Sequence, residues 1–323
     1  MRLDGQRVVI IGGSSGIGLA TAQLARAEGA EVTIAGRTED RLREAQRLLG
    51  ECDVAALDVA DAAAVEALFA GLARVDHVVV SAGTLGPGGI VSSDLKTLQQ
   101  IVDQRIWGPI HAVRAAAPKM SPGGSITFTS GGIASRPRAG AGMFTAALSA
   151  VEALPRALVL ELAPVRVNTV TPGVVDTPLQ HAGEGWEARL QARGEALPVR
   201  RVGTADDIAQ VMVMLMTNGY LTGEVIHVDG GGHVLAGQGD TGCPADQLIA
   251  LAGRVLAGDR HRGGAAVAGV RIDQLGARRV GVVLPLAGAT ARAISASVSS
   301  ASWSAAASSS MKCTGRPSTA ALN

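Results

Sequence analysis

The chain has 323 residues and a formal net charge of +1, with 47% apolar and only 2% aromatic residues. That length fits one large domain with an extension, or two small domains. The balanced charge gives no electrostatic case for nucleic acid or an anionic membrane as partner.

The opening residues carry no basic, hydrophobic leader, and no run of 18 uncharged apolar residues occurs. We therefore expect a cytoplasmic protein with no membrane span. Cys52, Cys243 and Cys313 lie far apart, and the six histidines form no HExxH. No disulfide framework and no metal site is expected from these spacings.

In chain order, β-branched runs alternate with Ala- and Leu-rich stretches. Strands are predicted at 7–11, 31–35, 53–57, 76–81, 125–129, 165–170 and 225–228. Between them, helices are predicted at 16–28, 38–49, 61–72, 144–162 and 206–217, the last with Thr204 as N-cap. Such alternation over more than 200 residues predicts an α/β fold, a doubly wound, seven-stranded parallel sheet. It forms a single domain, 1–236, with a C-terminal extension, 237–323.

The extension differs in character. No Glu follows Glu224, and 293–310 is almost wholly Ala and Ser. It reads either as a poorly ordered tail or as translation beyond or out of the natural frame. No function is placed there.

Residues 7–11 lead into Gly12-Gly13-Ser14-Ser15-Gly16-Ile17-Gly18 and then a helix. Glycines at 12, 16 and 18 let backbone turn tightly and approach a pyrophosphate, which the helix N-terminus attracts. The second strand ends Gly36-Arg37-Thr38. An acidic residue there would hold the ribose hydroxyls of NAD. Arg37 and Thr38 suit a 2′-phosphate instead, which favours NADP(H).

Taken together, these motifs resemble the short-chain dehydrogenase/reductase superfamily over residues 5 to about 233. The resemblance rests also on Asp58-Val59, on Ser81-Ala82-Gly83, and on Arg166 through Pro172-Gly173-Val174-Val175-Asp176-Thr177. Val202-Gly203-Thr204 and His227-Val228-Asp229-Gly230-Gly231 extend it. It implies a Rossmann fold, a nicotinamide cofactor, a small-molecule substrate and a homodimer or homotetramer. It also implies cofactor contacts from Asp58, Val59, Ser81, Ala82, Gly83, Pro172, Gly173, Val175 and Thr177.

The family's usual site residues are Asn, Ser, Tyr and Lys. The match puts Arg105 at the Asn position, Ser130 at the Ser position, Phe144 at the Tyr position and Leu148 at the Lys position. The chain's single Tyr is Tyr220 and its lysines are Lys96, Lys119 and Lys312, so no Tyr-x-x-x-Lys exists. Arg105 could stabilise an oxyanion, or it could pair with a carboxylate or the backbone of a neighbouring subunit. Ser130 is a candidate for substrate contact.

The stretch 179–197, with Trp186, falls where the family carries its substrate lid. Its tryptophan could touch substrate or pack on the body. His111 and Trp107 read as packing residues. Three functions stay open. One is an NADP(H)-dependent oxidoreductase acting on a small carbonyl, alcohol or quinone-like compound. Another is an inactive NADP(H)-binding sensor or partner subunit. A third is non-redox chemistry such as cyclisation.

Overall fold

The computed structural model describes residues 2–84, 86–181 and 183–235, together with the backbone of two later strands. Seven strands form one parallel sheet in the order β3-β2-β1-β4-β5-β6-β7. They are β1 Arg7–Ile11, β2 Glu31–Gly36, β3 Asp53–Ala56, β4 Val75–Val80, β5 Met120–Thr129, β6 Arg166–Pro172 and β7 Val225–Val228. The order reverses direction between β1 and β4. In a doubly wound sheet that switch point opens a crevice at the carboxyl ends of the strands.

Two apolar layers cover the sheet. One face buries Val8, Ile10, Val32 and Ile34 against helices α1 (Gly16–Ala27), α2 (Glu39–Leu49) and α8 (Ala205–Thr217). The other buries Val9, Ile11, Val78, Ile126 and Phe128 against α3 (Ala62–Ala70), α5 (Gly108–Ala116) and α6 (Gly142–Glu161). Side chains alternate across a strand, so Val9 and Ile11 enter one layer while Val8 and Ile10 enter the other.

Capping fixes where helices start. Asp61 accepts from the N–H groups of Ala63 and Ala64, opening α3. Thr204 and Asp207 form a reciprocal capping box at α8, as the sequence predicts for Thr204. Arg201 forks onto Asp207 at 2.6 and 2.9 Å and holds its carboxyl well below the usual carboxylate range. At the other end of α8, buried Arg166 donates to the carbonyls of Leu215 and Met216 at 2.6 and 2.9 Å. A guanidinium there answers both the open carbonyls and the negative end of the helix dipole.

Helix α6 is the longest of the described helices and largely apolar. By length and composition, with a mean hydropathy of 1.5, it could cross a membrane. Glu152 and Arg156 interrupt its apolar run, which is why a search for uncharged segments passes over it. Pro155 inside it withdraws one backbone donor, leaving the Val151 carbonyl without its helical partner. Thr169 Oγ1 on β6 fills that gap at 3.2 Å.

Two compact units divide between Gly242 and Cys243. In the second, β8 (Arg279–Val282) pairs antiparallel with β9 (Ile294–Ser297). The boundary expected after residue 236, and the character expected for 237–323, otherwise lie outside the described residues.

Candidate active site

At Gly12 and Gly18 the first β–α turn is packed so tightly that it admits only glycine. Gly12 has φ +96°, and a Cβ there would lie 2.5 Å from the Ala82 backbone nitrogen. A Cβ on Gly18 would come within 2.1 Å of the Gly12 carbonyl oxygen. The turn is thus pressed onto the end of β4, where Ser81 N–H donates to Ile11 O at 2.8 Å. Ser15 sits at the N-cap of α1, but its side chain makes no capping bond. The amide hydrogens of Gly16, Ile17 and Gly18 at the helix start are available to an anion.

The other predicted cofactor residues gather around this turn. A Cβ on Gly16 would lie 3.2 Å from the Thr177 methyl. One on Gly36 would lie 3.2 Å from Ser14 Oγ. The neighbouring Arg37 and Thr38 are exposed, and Arg37 makes no ion pair among the described residues. Leu57 N–H bonds Gly36 O, which brings Asp58 and buried Val59 alongside the second strand. Asp58 Oδ1 accepts from Ala60 N–H at 3.0 Å.

The segment from Pro172 to Thr177 is held from both sides. Gly173 N–H donates to Val228 O, Val175 bridges to Gly203, and Asp176 N–H donates to Gly203 O. A dinucleotide therefore fits these residues: a glycine cradle, an uncapped helix start, and a cation beside the second strand.

Across the switch point the chemistry changes. Helix α4 (Leu95–Val102) passes into a π-helical turn, Asp103–Trp107, before α5. Such bulges re-aim side chains, often at functional sites. Here Arg105 is turned inward and is only 8% exposed. Its guanidinium lies flat against Gly83, where a Cβ would be 2.1 Å from Arg105 Cζ. Nη2 donates to Thr84 O at 2.8 Å, while Nε is buried without a partner. No carboxylate pairs with Arg105 among the described residues. Burial pushes its pKa down to about 10, which still leaves the group charged at neutral pH.

Phe144 and Leu148 are buried on α6. The Phe144 ring packs with Ile101 and Ala147 beneath the loop at Gly88, where a Cβ would lie 2.7 Å from Phe144 Cδ2. That loop is pinned on α6 by Gly88 N–H to Gly140 O and Met143 N–H to Gly88 O. A Cβ on Gly131 would sit 3.5 Å from Leu148 Cδ1.

Ser130 is also buried, and its hydroxyl is directed at α6. It donates to Glu152 Oε1 at 2.9 Å, with Leu148 O at 3.3 Å. Thr171 Oγ1 donates to the same Glu152 oxygen at 2.7 Å. Sequence reasoning did not single out Glu152, a lone acid inside an apolar helix four residues after Leu148. That isolation was the available signal, because a carboxylate so placed needs hydroxyl or amide donors.

In the lid region, 178–180 form a short 3-10 turn and α7 spans Trp186–Glu195. Trp186 stacks on His181 at 3.8 Å, and His181 Nε2 lies 2.6 Å from Asp176 Oδ1. Trp107 is half exposed and stacks near His111, whose Nδ1 lies 3.2 Å from Val59 O.

Comparison with known proteins agrees with this architecture. The family model described as enoyl-(acyl carrier protein) reductase matches residues 12–233. The short-chain dehydrogenase/reductase ATR9 of Stachybotrys chlorohalonatus (strain IBT 40285) is 32% identical, covering 71% of this chain and 97% of its own. Among solved structures, the reductase/Diels-Alderase MalC of Malbranchea aurantiaca is similar at TM-score 0.68 and 29% identity. That match covers 72% of this chain and 97% of MalC. A small-chain dehydrogenase in complex with NADPH is similar at TM-score 0.63 and 33% identity, over 72% of this chain and all of that one. The seven-stranded sheet, the glycine turn and these matches agree: the chain belongs to the short-chain dehydrogenase/reductase superfamily of nicotinamide-dependent oxidoreductases.

Proposed function

We propose that the protein is an NADP(H)-dependent oxidoreductase with a non-standard site, acting on a small carbonyl, alcohol or quinone-like substrate. The observation that carries this reading is Arg105. Burying a cation without a counter-charge costs several kcal/mol unless something compensates. A guanidinium held beside Gly83, with one buried N–H unsatisfied, would serve a developing oxyanion once the Gly83–Thr84 backbone shifts to uncover it. NADPH bound in the glycine cradle would supply the hydride. Arg37 and Thr38 would hold its 2′-phosphate, and Gly36 leaves them room.

Phe144 has no proton to donate and Leu148 has no charge. Arg105 would stabilise the developing alkoxide without titrating, and water would supply the proton. Ser130 could relay that proton only by turning its hydroxyl away from Glu152. A substrate that needs little proton assistance, such as a quinone or an activated enone, suits this arrangement. A second copy of the chain lying on α6 would cover its exposed apolar residues, Leu160 among them at 83% exposure. The partner state we propose is a homodimer or homotetramer in the cytoplasm.

A second reading is an NADP(H)-binding sensor or partner subunit without turnover. The hydrocarbon pair Phe144 and Leu148 and the engagement of Ser130 with Glu152 favour it. A screen of NADPH oxidation against carbonyls, enones and quinones separates the two. Turnover is expected for at least one acceptor, with kcat/KM falling about 10²–10³-fold in Arg105→Met. NADPH binding without turnover on any acceptor would select the sensor.

A further inference from the structure

We infer that His227, Asp229 and His233 form a binding site for one divalent first-row transition ion, outside the cofactor cradle. The ligand-capable atoms of the three side chains lie within 4.8 Å of one another. Backbone geometry puts them there. His227 faces α6 from β7, and Asp229 follows one residue beyond the strand's end. Gly230 and Gly231 follow with φ +62° and +82°. The 3-10 turn Gly232–Val234 then folds the chain back. His233 is thereby stacked over His227, with ring centroids 4.5 Å apart.

The packing leaves no room for a side chain at either glycine. A Cβ on Gly230 would meet Val199 Cγ2 at 2.6 Å, and one on Gly231 would meet Pro198 Cγ at 2.9 Å. The Asp229 side chain is only 7% exposed, and its backbone packs on Gly173, where a Cβ would lie 2.6 Å from the Asp229 Cα.

Hydrogen bonding explains part of the cluster and leaves part unexplained. Asp229 accepts from Gly231 N–H at 3.0 Å and His233 N–H at 2.6 Å, and His233 Nδ1 lies 2.9 Å from Oδ2. These contacts account for Asp229 and His233. They do not account for His227 Nδ1, which is buried with no partner. An unmet buried polar atom costs about 1–3 kcal/mol. A metal bond to that nitrogen would remove the cost.

Two imidazoles and one carboxylate make a borderline-soft donor set, suited to zinc, cobalt or nickel and not to magnesium or calcium. Ligand atoms in a tetrahedral zinc site stand about 3.3 Å apart, so the trio closes onto an ion through side-chain shifts of ~1 Å, with the exposed His233 ring turning out of its stack on His227 to aim a nitrogen at the ion. The fourth position is left for water. His227 also lines a cavity of about 340 Å³ with Glu152 and Arg156. An ion here would clip the turn after β7 to the strand end.

The test uses the full chain without an affinity tag, stripped with a chelator and titrated with Zn²⁺ against a chromophoric competitor. One tight equivalent is expected, with a thermal midpoint raised by several degrees. His233→Ala, on the exposed side of the trio, should weaken that equivalent at least tenfold and abolish the thermal shift. Asp229→Asn keeps the shape of the turn and should weaken it as well. His181→Ala should bind like the parent. No stoichiometric binding by the parent, or undiminished binding by both His233→Ala and Asp229→Asn, would overturn the assignment.

Discussion

The β1–α1 turn and the start of α6 both serve the carboxyl edge of the sheet, yet they are built in opposite ways. The turn is bare backbone: Gly12 and Gly18 bring main chain against main chain, Gly16 brings it against Thr177, and the amide hydrogens of α1 stay open. The start of α6 is closed hydrocarbon, with Phe144 sealed under Gly88 and Leu148 buried beside Gly131. Between them stands one buried cation, Arg105. The contrast teaches that holding a dinucleotide and moving a proton are separable demands on one fold. The first depends on backbone shape, and the second on a few replaceable side chains.

The largest expected effect falls on the backbone half. Gly18→Ala places a methyl 2.1 Å from the Gly12 carbonyl oxygen, with backbone on both sides and no flexible side chain to yield. We expect a loss of about 3 kcal/mol in denaturant unfolding and NADPH binding weakened at least 100-fold. A variant with the stability and affinity of the parent would show that the turn is looser than this packing allows.

A second measurement separates the fold from the cleft. His77 on β4 lies between Ser125 Oγ at 2.8 Å and Gln6 Oε1 at 2.6 Å, and burial pushes its pKa down to about 4. In the unfolded chain the same group titrates near 6.5. As pH falls from 6.5 to 4, the unfolded state binds the proton first, so stability declines across that window and is level above it. The expected loss is about 1–3 kcal/mol, absent in His77→Gln, read by unfolding at pH 4, 5, 6 and 7. An equal loss in His77→Gln would assign the acid sensitivity elsewhere.

The smallest effect is expected where the family's hydroxyl is missing. Phe144→Tyr adds an oxygen to a ring packed against Gly88 and Ile101, with Leu148 in place of a lysine. A rate within about twofold of the parent is expected, because a phenol near pKa 10 with no neighbouring ammonium is a poor acid at pH 7. A tenfold gain would mean that the hydrocarbon ring alone limits turnover.

Most of the fold is legible in the sequence, because buried parallel strands read as short β-branched runs between amphipathic helices. Most ends move by a residue or two, as where β6 runs on to Pro172, but β5 begins five residues early, at Met120, through Pro122-Gly123-Gly124. The glycine turn is equally legible, since its spacing encodes its shape.

The rest of the site is not, because it depends on side-chain direction. A sequence match places Ser130 at the strand end but cannot say that its hydroxyl points to Glu152. Nor does a linear pattern reveal that a π-helical turn swings Arg105 under Gly83. His227, Asp229 and His233 look scattered until two left-handed glycines fold them together.

The measurement nearest the central claim is a calorimetric titration of the purified chain with NADPH and, separately, NADH. One equivalent of NADPH is expected to bind, at least tenfold more tightly than NADH, with the preference lost in Arg37→Ala. No heat of binding with either nucleotide would contradict the reading of the glycine turn, and with it both proposed functions.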